Sequence, residues 1–275
     1  MSLSASAPER GDRKPQRVRH EIRFRHLQVR EVQHLTPHLL RVTLAGADLA
    51  GFYSPGFDDH VKLFFPDDHG VLKVPTMGPN GPDFGGPRPP MRDYTPRHYD
   101  AAAGSLQIDF ALHEAGPATR WAEQAKPGDS LGVGGPRGSF IIPTDFDWHL
   151  LVGDDTALPA IGRRLAELPA GARAVVLIEV DGPDDQIELP SAADVSLSWV
   201  HRRGAEAGDP APLADALRRR ALPTGDYYAW VAAEARVAKA LRQQLIAEHG
   251  AQPQWMRAAA YWRHGDAAVH ENIED

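Results

Sequence analysis

The chain has 275 residues, no Cys, and 30 Lys plus Arg against 37 Asp plus Glu, a formal net charge of −7. That balance gives no bulk attraction for nucleic acid or an anionic membrane, so an anionic ligand must be met by a local cluster of basic side chains. The missing Cys excludes disulfides, a thiol nucleophile and Cys-ligated metal centres, and it fits a reducing cytoplasm.

The first 18 residues, rich in Ser, Ala, Pro, Arg and Lys and without an apolar signal core, read as a disordered leader. No apolar run is long enough to span a membrane, so a soluble cytoplasmic protein is expected. Residues 19–146 then read as one domain. Phe24 to Val32 and Leu39 to Leu44 alternate apolar and polar, and His60 to Phe65 follows before the turn residues Pro66-Asp67-Asp68-His69-Gly70. Short strands punctuated this way predict a small antiparallel β-barrel. Residues 75–90 hold six Pro and four Gly and read as an irregular loop.

Arg92-Asp93-Tyr94-Thr95-Pro96-Arg97 comes next, ahead of the alternating strand Ser105 to Phe110. An Arg grips phosphate with a planar fork of donors, a Tyr ring lies against another ring, and a Thr hydroxyl bonds a ring nitrogen. Those are the anchor, the stack and the orienting group of a flavin nucleotide. A helix is predicted from Pro117 to about Ala125, with Gly116 before it leaving backbone N–H groups open toward a pyrophosphate. A surface helix that closes one end of the barrel fits the same residues.

Residues 147–275 read as a second domain. Apolar strands at Trp148–Val152, Ala174–Val180, Val195–Val200 and Asp226–Ala232 alternate with helices through Leu168, at Pro212–Arg220 and at Ala235–Glu248. That order predicts an α/β domain with a parallel sheet. Ligands of such sheets bind at the carboxyl ends of the strands, where Gly153-Asp154-Asp155-Thr156-Ala157-Leu158-Pro159-Ala160 lies. No Gly-x-Gly-x-x-Gly is present, and a Thr before a helix also serves as an ordinary cap.

Arg92 to Arg97, His113 to Ala122, Gly134-Gly135-Pro136-Arg137-Gly138-Ser139-Phe140, Gly153 to Ala160 and Tyr261-Trp262-Arg263 form an ordered set. Together they resemble the siderophore-interacting protein family, flavin-dependent ferric-siderophore reductases of the ferredoxin–NADP reductase superfamily. The resemblance covers about residues 20 to 267. It implies an FAD-binding barrel followed by an NAD(P)H-binding α/β domain. Arg92 would then contact the flavin phosphate or ribitol, with Asp93 beside it. Tyr94 would pack on the isoalloxazine and Thr95 would address its N5 side. His113, Ala118 and Thr119 would hold the pyrophosphate, Asp154 and Thr156 would lie at the nicotinamide end, and Trp262 would sit close to the flavin. Three positions depart from the family pattern: Asp155 stands for Glu, and Ala233 and Ala260 each stand for Gly. If the first Gly gives the cofactor close backbone access, Ala233 weakens nicotinamide binding.

Nicotinamide gives up two electrons as hydride and ferric iron accepts one, and a flavin connects the two. The implied reaction is reduction of a ferric siderophore, releasing Fe(II). Ferric catecholates are anionic, so Lys62, Arg97 and Arg263 are the candidate substrate contacts. Arg202 and Arg203, after the third strand, favour NADPH through its 2′-phosphate, whereas Glu179 and Asp181 favour NADH. A flavin reductase, a ferredoxin-linked reductase and a non-enzymatic siderophore-binding module are the alternatives, and a monomer is expected. His34 and His38 read as loop residues rather than metal ligands, Ser139 lacks a nucleophile-elbow frame, and Arg218-Arg219-Arg220 reads as a solvated helix end.

Overall fold

The computed structural model describes residues 13–112, 116–265 and 271–273. In the N-terminal part the strands are β1 (Gln16–Arg19), β2 (Phe24–Thr36), β3 (Leu39–Ala45), β4 (Val61–Phe64), β5 (Thr76–Gly78), β6 (Gly81–Asp83), β7 (Met91–Tyr94), β8 (Pro96–Asp100) and β9 (Ser105–Ala111). Helix α1 (Pro117–Gln124) precedes β10 (Ser130–Gly134) and β11 (Gly138–Ile141). Seven of these strands form an antiparallel sheet in the order β7-β4-β10-β2-β3-β9-β8 that curls into a half-barrel. Its two edge strands, β7 and β8, are joined through Thr95. Leu27, Val29, Val42, Leu44, Leu63, Leu106, Ile108, Phe110 and Leu131 fill the interior, one from every second position, as the pleat of a half-buried strand requires.

The C-terminal part runs β12 (Trp148–Gly153), α2 (Leu158–Glu167), β13 (Arg173–Val180), β14 (Asp194–His201), α3 (Ala211–Arg219), β15 (Tyr227–Glu234), α4 (Ala235–His249), β16 (Met256–Trp262) and β17 (Glu271–Asn272). The sheet order is β14-β13-β12-β15-β16-β17, parallel except for β17. The strand order reverses between β12 and β15, and a crevice opens at the carboxyl ends of such a pair. Among the described residues no helix is long and apolar enough to cross a membrane.

Two expectations are corrected. Residues 13–18, assigned to a disordered leader, are ordered: β1 pairs with β11, and Arg13 is buried against Phe146 and Trp255. Arg13 pairs with Asp226 at 2.9 Å and donates to the Asp145 carbonyl at 2.8 Å. The loop over 75–90 contains the short hairpin β5–β6.

The two parts share one apolar cluster, in which Leu39, Phe57, Ile142 and Phe146 meet Leu151, Ile161, Tyr228 and Trp230. Polar contacts reinforce it. Arg163 of α2 donates to the Pro96 carbonyl at 3.0 Å and to the Ser54 carbonyl, and Arg164 donates to the Pro143 carbonyl at 3.0 Å. His38 meets Asp185 at 2.9 Å, so it serves the seam between the parts. Ser139 donates to Asp59 at 2.6 Å and contacts His20, an arrangement in which the serine hydroxyl is spent on a carboxylate.

Candidate functional site

Strand β7 is neither core nor surface: Met91, Arg92, Asp93 and Tyr94 are all half-buried. Arg92 donates to the Met91 carbonyl at 2.8 Å and has no carboxylate partner among the described residues. Its remaining guanidinium donors suit a phosphate. Asp93 is paired with Lys62 across the strand at 2.7 Å. The Tyr94 ring lies 4.5 Å from that of Phe110, and burial raises its phenol well above the ordinary range. Thr95 is 7% exposed.

Helix α1 packs near β7 and begins at Gly116 without a side-chain cap, with Pro117 at its first position. The amides of its first turn, Ala118 and Thr119 included, therefore lack an intrahelical acceptor. His113 lies outside the described residues. A half-buried arginine without a carboxylate partner among the described residues, a helix start without a side-chain cap and a tyrosine on the same edge make a donor set that fits a flavin dinucleotide.

The second half of the site is at the ends of β12 and β15. Gly153 closes β12, and a Cβ there would come 2.4 Å from the Ala157 Cβ and 2.5 Å from the Ala232 carbonyl, so only Gly lets the next turn approach. Asp154 follows, 4% exposed. Its Oδ1 accepts from the Thr156 amide at 3.0 Å and the Thr156 hydroxyl at 2.5 Å. Its Oδ2 accepts from the Glu234 amide at 3.0 Å and from Trp262 Nε1 at 2.8 Å. One carboxylate thus ties together the first turn after β12, the end of β15 and the end of β16. Glu234, itself buried, caps α4 by accepting from the Arg236 and Val237 amides. Sequence reasoning passed over this role, although a carboxylate directly before a helix start is a legible cap signal.

Ala233 and Ala260 are direct partners in the β15–β16 pairing, and both are buried. The Ala233 methyl packs with Val237, Ala238, Leu241 and Ala258 under α4. The two departures from the family pattern are therefore neighbours, and the Ala233 side chain serves the core.

Arg202 is occupied. It pairs with Asp155 at 2.9 Å and with Glu179 at 3.5 Å, and its side chain is 8% exposed. Burial, with Asp154 and Asp155 nearby, pushes the Glu179 carboxyl up to about 7 despite Arg202. Arg203, by contrast, is exposed, holds a left-handed φ of 56°, and lines an open groove with His201, Arg219 and Arg220. Arg220 is braced there by the Ser198 hydroxyl at 3.0 Å.

The three substrate candidates have different placements. Lys62 is partly exposed beside Asp93, and Arg263 is exposed just after β16. Arg97 is tucked between the parts: it lies 4.0 Å from Asp109, and a Cβ on Gly162 of α2 would come 3.2 Å from its Nη2. Arg41 holds the same Asp109 more closely, at 2.7 Å.

A curled antiparallel half-barrel joined to a parallel sheet whose strand order reverses between β12 and β15 defines the ferredoxin-reductase-like fold. At the level of fold, a ferredoxin reductase of carbazole 1,9a-dioxygenase superposes with a TM-score of 0.60 at 17% identity over 86% of this chain and 66% of that one. Residues 28–140 match the siderophore-interacting FAD-binding domain and residues 146–265 the siderophore-interacting protein model. The chain is 40% identical over 256 residues to an NADPH-dependent ferric-chelate reductase of Escherichia coli, covering 91% of this chain and 97% of that protein. It is 34% identical to the ferric vibriobactin reductase ViuB of Vibrio cholerae, over 87% of this chain and 90% of that one. A siderophore utilization protein from T. fusca superposes with a TM-score of 0.87 at 37% identity, over 93% of this chain and 98% of that one. The chain belongs to the siderophore-interacting protein family.

Proposed function

We propose that the protein is an FAD-dependent ferric-siderophore reductase that draws its electrons from NADPH and works as a cytoplasmic monomer. The observation that carries this reading is the pairing of the two half-sites: Arg92, Tyr94 and Thr95 on the half-barrel edge, and Asp154 with Trp262 at the switch point of the sheet. Bound FAD supplies the conversion of a hydride into single electrons. Around it, Arg92 and the first-turn amides of α1 hold the phosphates, Tyr94 supports the ring and Thr95 orients it. Asp154 keeps Thr156 and Trp262 in place at the nicotinamide end. Because these groups bind and orient rather than move protons, no acid–base pair is needed at the site.

Donor selectivity falls to Arg203, since Arg202 is neutralised by Asp155 and Glu179. Lys62 and Arg263 supply positive charge toward an anionic ferric complex, and Arg97 steadies the seam beneath them. The testing experiment is steady-state reduction of a ferric catecholate with NADPH, compared with reduction of free FAD. Faster turnover of the ferric complex supports the reductase, equal rates point to a general flavin reductase, and absence of NADPH consumption points to a binding module.

A further inference from the structure

Arg218, Arg219 and Arg220 follow one another at the end of α3, and the fold holds the first and the last in opposite ways. Arg218 is spent on carboxylates: it pairs with Asp215 at 2.9 Å and with Glu248 at 3.1 Å. Arg220 crosses instead to the edge strand β14. There it donates to the Ser198 hydroxyl at 3.0 Å, to the Ser196 hydroxyl, and to the Ser196 carbonyl at 3.4 Å. These acceptors are neutral, so they fix the guanidinium and leave its charge uncancelled. A guanidinium also carries more N–H donors than such acceptors use, which keeps part of its fork open to an anion.

Arg220 and Arg219 line a groove of about 470 Å³ between β14 and α3, and Arg203 lines it from the turn that follows β14. That turn is fixed as well. The Arg203 amide donates to the Asp181 carbonyl at 2.9 Å and the Gly204 amide to Asp181 Oδ1 at 3.2 Å. Two bonds to one residue thus hold Arg203 at its left-handed φ of 56°, which is uncommon outside Gly. Pro212 and Ala216, four residues apart on α3, give the same groove an apolar wall. In a chain of net charge −7 this cluster acts on an anion at contact and not through a long-range field. A braced cation, two exposed ones and an apolar wall match a phosphate monoester carried on an organic body.

We propose that the groove between β14 and α3 seats the 2′-phosphate of NADPH, with Arg220, braced by Ser196 and Ser198, as a specificity-determining residue beside Arg203. This deepens, and rests on, the reading that NADPH is the electron donor. The serine brace orders Arg220 before the ligand arrives, so little side-chain entropy is lost on binding. Because the brace is neutral, the full charge is left for the phosphate, unlike that of Arg202, which Asp155 and Glu179 cancel.

The test is calorimetric titration of the FAD-loaded protein with adenosine 2′,5′-bisphosphate, adenosine 5′-monophosphate and inorganic phosphate, alongside flavin bleaching by NADPH and by NADH. Wild type should bind the bisphosphate about tenfold tighter than the monophosphate, and inorganic phosphate far more weakly. Arg220→Ala should lose most of that margin and raise the KM for NADPH but not for NADH, with an unchanged thermal midpoint. Ser196→Ala combined with Ser198→Ala keeps the charge and removes the brace, so part of the margin should go. Arg218→Ala should keep all of it. An R220A protein with the wild-type margin, or one in which both nucleotides weaken alike, would overturn the proposal. So would an equal loss in R218A, which would indicate general surface charge, or inorganic phosphate binding as tightly as the bisphosphate. A serine pair whose removal changes nothing would overturn the brace. Equal bleaching of wild type by NADPH and NADH, with no margin between the nucleotides, would remove the groove and leave the reductase standing. No bleaching by either would overturn the reading on which the groove rests.

Discussion

Trp262 Nε1 donates to Asp154 Oδ2 at 2.8 Å, joining the last aromatic of β16 to the first acidic residue after β12. The two are 108 residues apart in the chain. The same carboxylate holds Thr156 and the Glu234 amide, so the crevice between β12 and β15 is organised around one buried charge.

Removal of that charge is expected to be costly. Asp154→Ala leaves the Thr156 amide, the Glu234 amide and the Trp262 indole without their acceptor, at a loss of roughly 3 kcal/mol in unfolding free energy. Denaturant unfolding measures the loss, and the KM for NADPH should rise in the surviving folded protein. Unchanged stability and KM would contradict the role given to Asp154.

Arg92→Ala tests the phosphate anchor. Because Arg92 donates to its own strand's Met91 carbonyl and meets no carboxylate among the described residues, the fold should survive its loss. FAD affinity should fall about 100-fold, equivalent to losing one charge-assisted pair. The absorbance ratio of flavin to protein after gel filtration reports it.

Two buried groups make opposing contributions to stability as pH changes. Glu179 titrates at about 7 in the fold, raised by burial and by Asp154 and Asp155, so the native state holds a proton that the unfolded chain releases from about pH 4.5 upward. Its stabilising contribution is full below that pH and is lost as pH rises through 7. His149, buried beside Arg164, is pushed down to about 3. Unfolding lets it take up a proton below about pH 6.5, so its contribution is lost as pH falls. The two slopes oppose each other between about pH 4.5 and 6.5. Glu179→Gln should unmask the histidine, and its stability relative to wild type should rise by on the order of 3 kcal/mol from pH 4.5 to pH 8. A pH-independent difference would contradict this.

The basic residues separate by role. Arg203→Ala should lower the preference for NADPH over NADH about tenfold, the value of roughly one exposed phosphate contact, and leave the thermal midpoint unchanged. Arg202→Ala should instead destabilise the fold, because it strands Asp155 and Glu179. Measuring both cofactors with each variant decides between the two.

Charge reversal at Lys62 and Arg263 together should raise the KM for an anionic ferric complex and leave that for a neutral one unaltered. Arg97→Ala should lower the thermal midpoint instead, since its guanidinium is packed against Gly162 and Asp109. Equal effects on both complexes would count against the basic surface.

The half-barrel and the βα alternation were legible because their signals are local: period-two strands such as Leu39 to Leu44, and continuous apolar runs such as Leu150 to Val152. Strand β16 was not, because Ala258-Ala259-Ala260 has helix-forming composition and becomes a strand only between β15 and β17. Arg13 looked like part of a polar leader, and its partners Asp145, Asp147 and Asp226 lie more than 130 residues away. Arg202 and Arg97 read as ligand-facing cations, and only the fold brings Asp155, Glu179 and Asp109 to them. The hexapeptide Arg92 to Arg97 was visible as a pattern, but the bulge ahead of Trp262 depends on strand register, which no local pattern specifies.

The most direct test of the account is an anaerobic visible spectrum of the FAD-loaded protein, recorded before NADPH, after NADPH, and after a ferric siderophore. Bleaching of the flavin band by NADPH and its return with the ferric complex is the predicted result. A protein that takes up no FAD, or a bleached flavin whose colour the ferric complex does not restore, would contradict it.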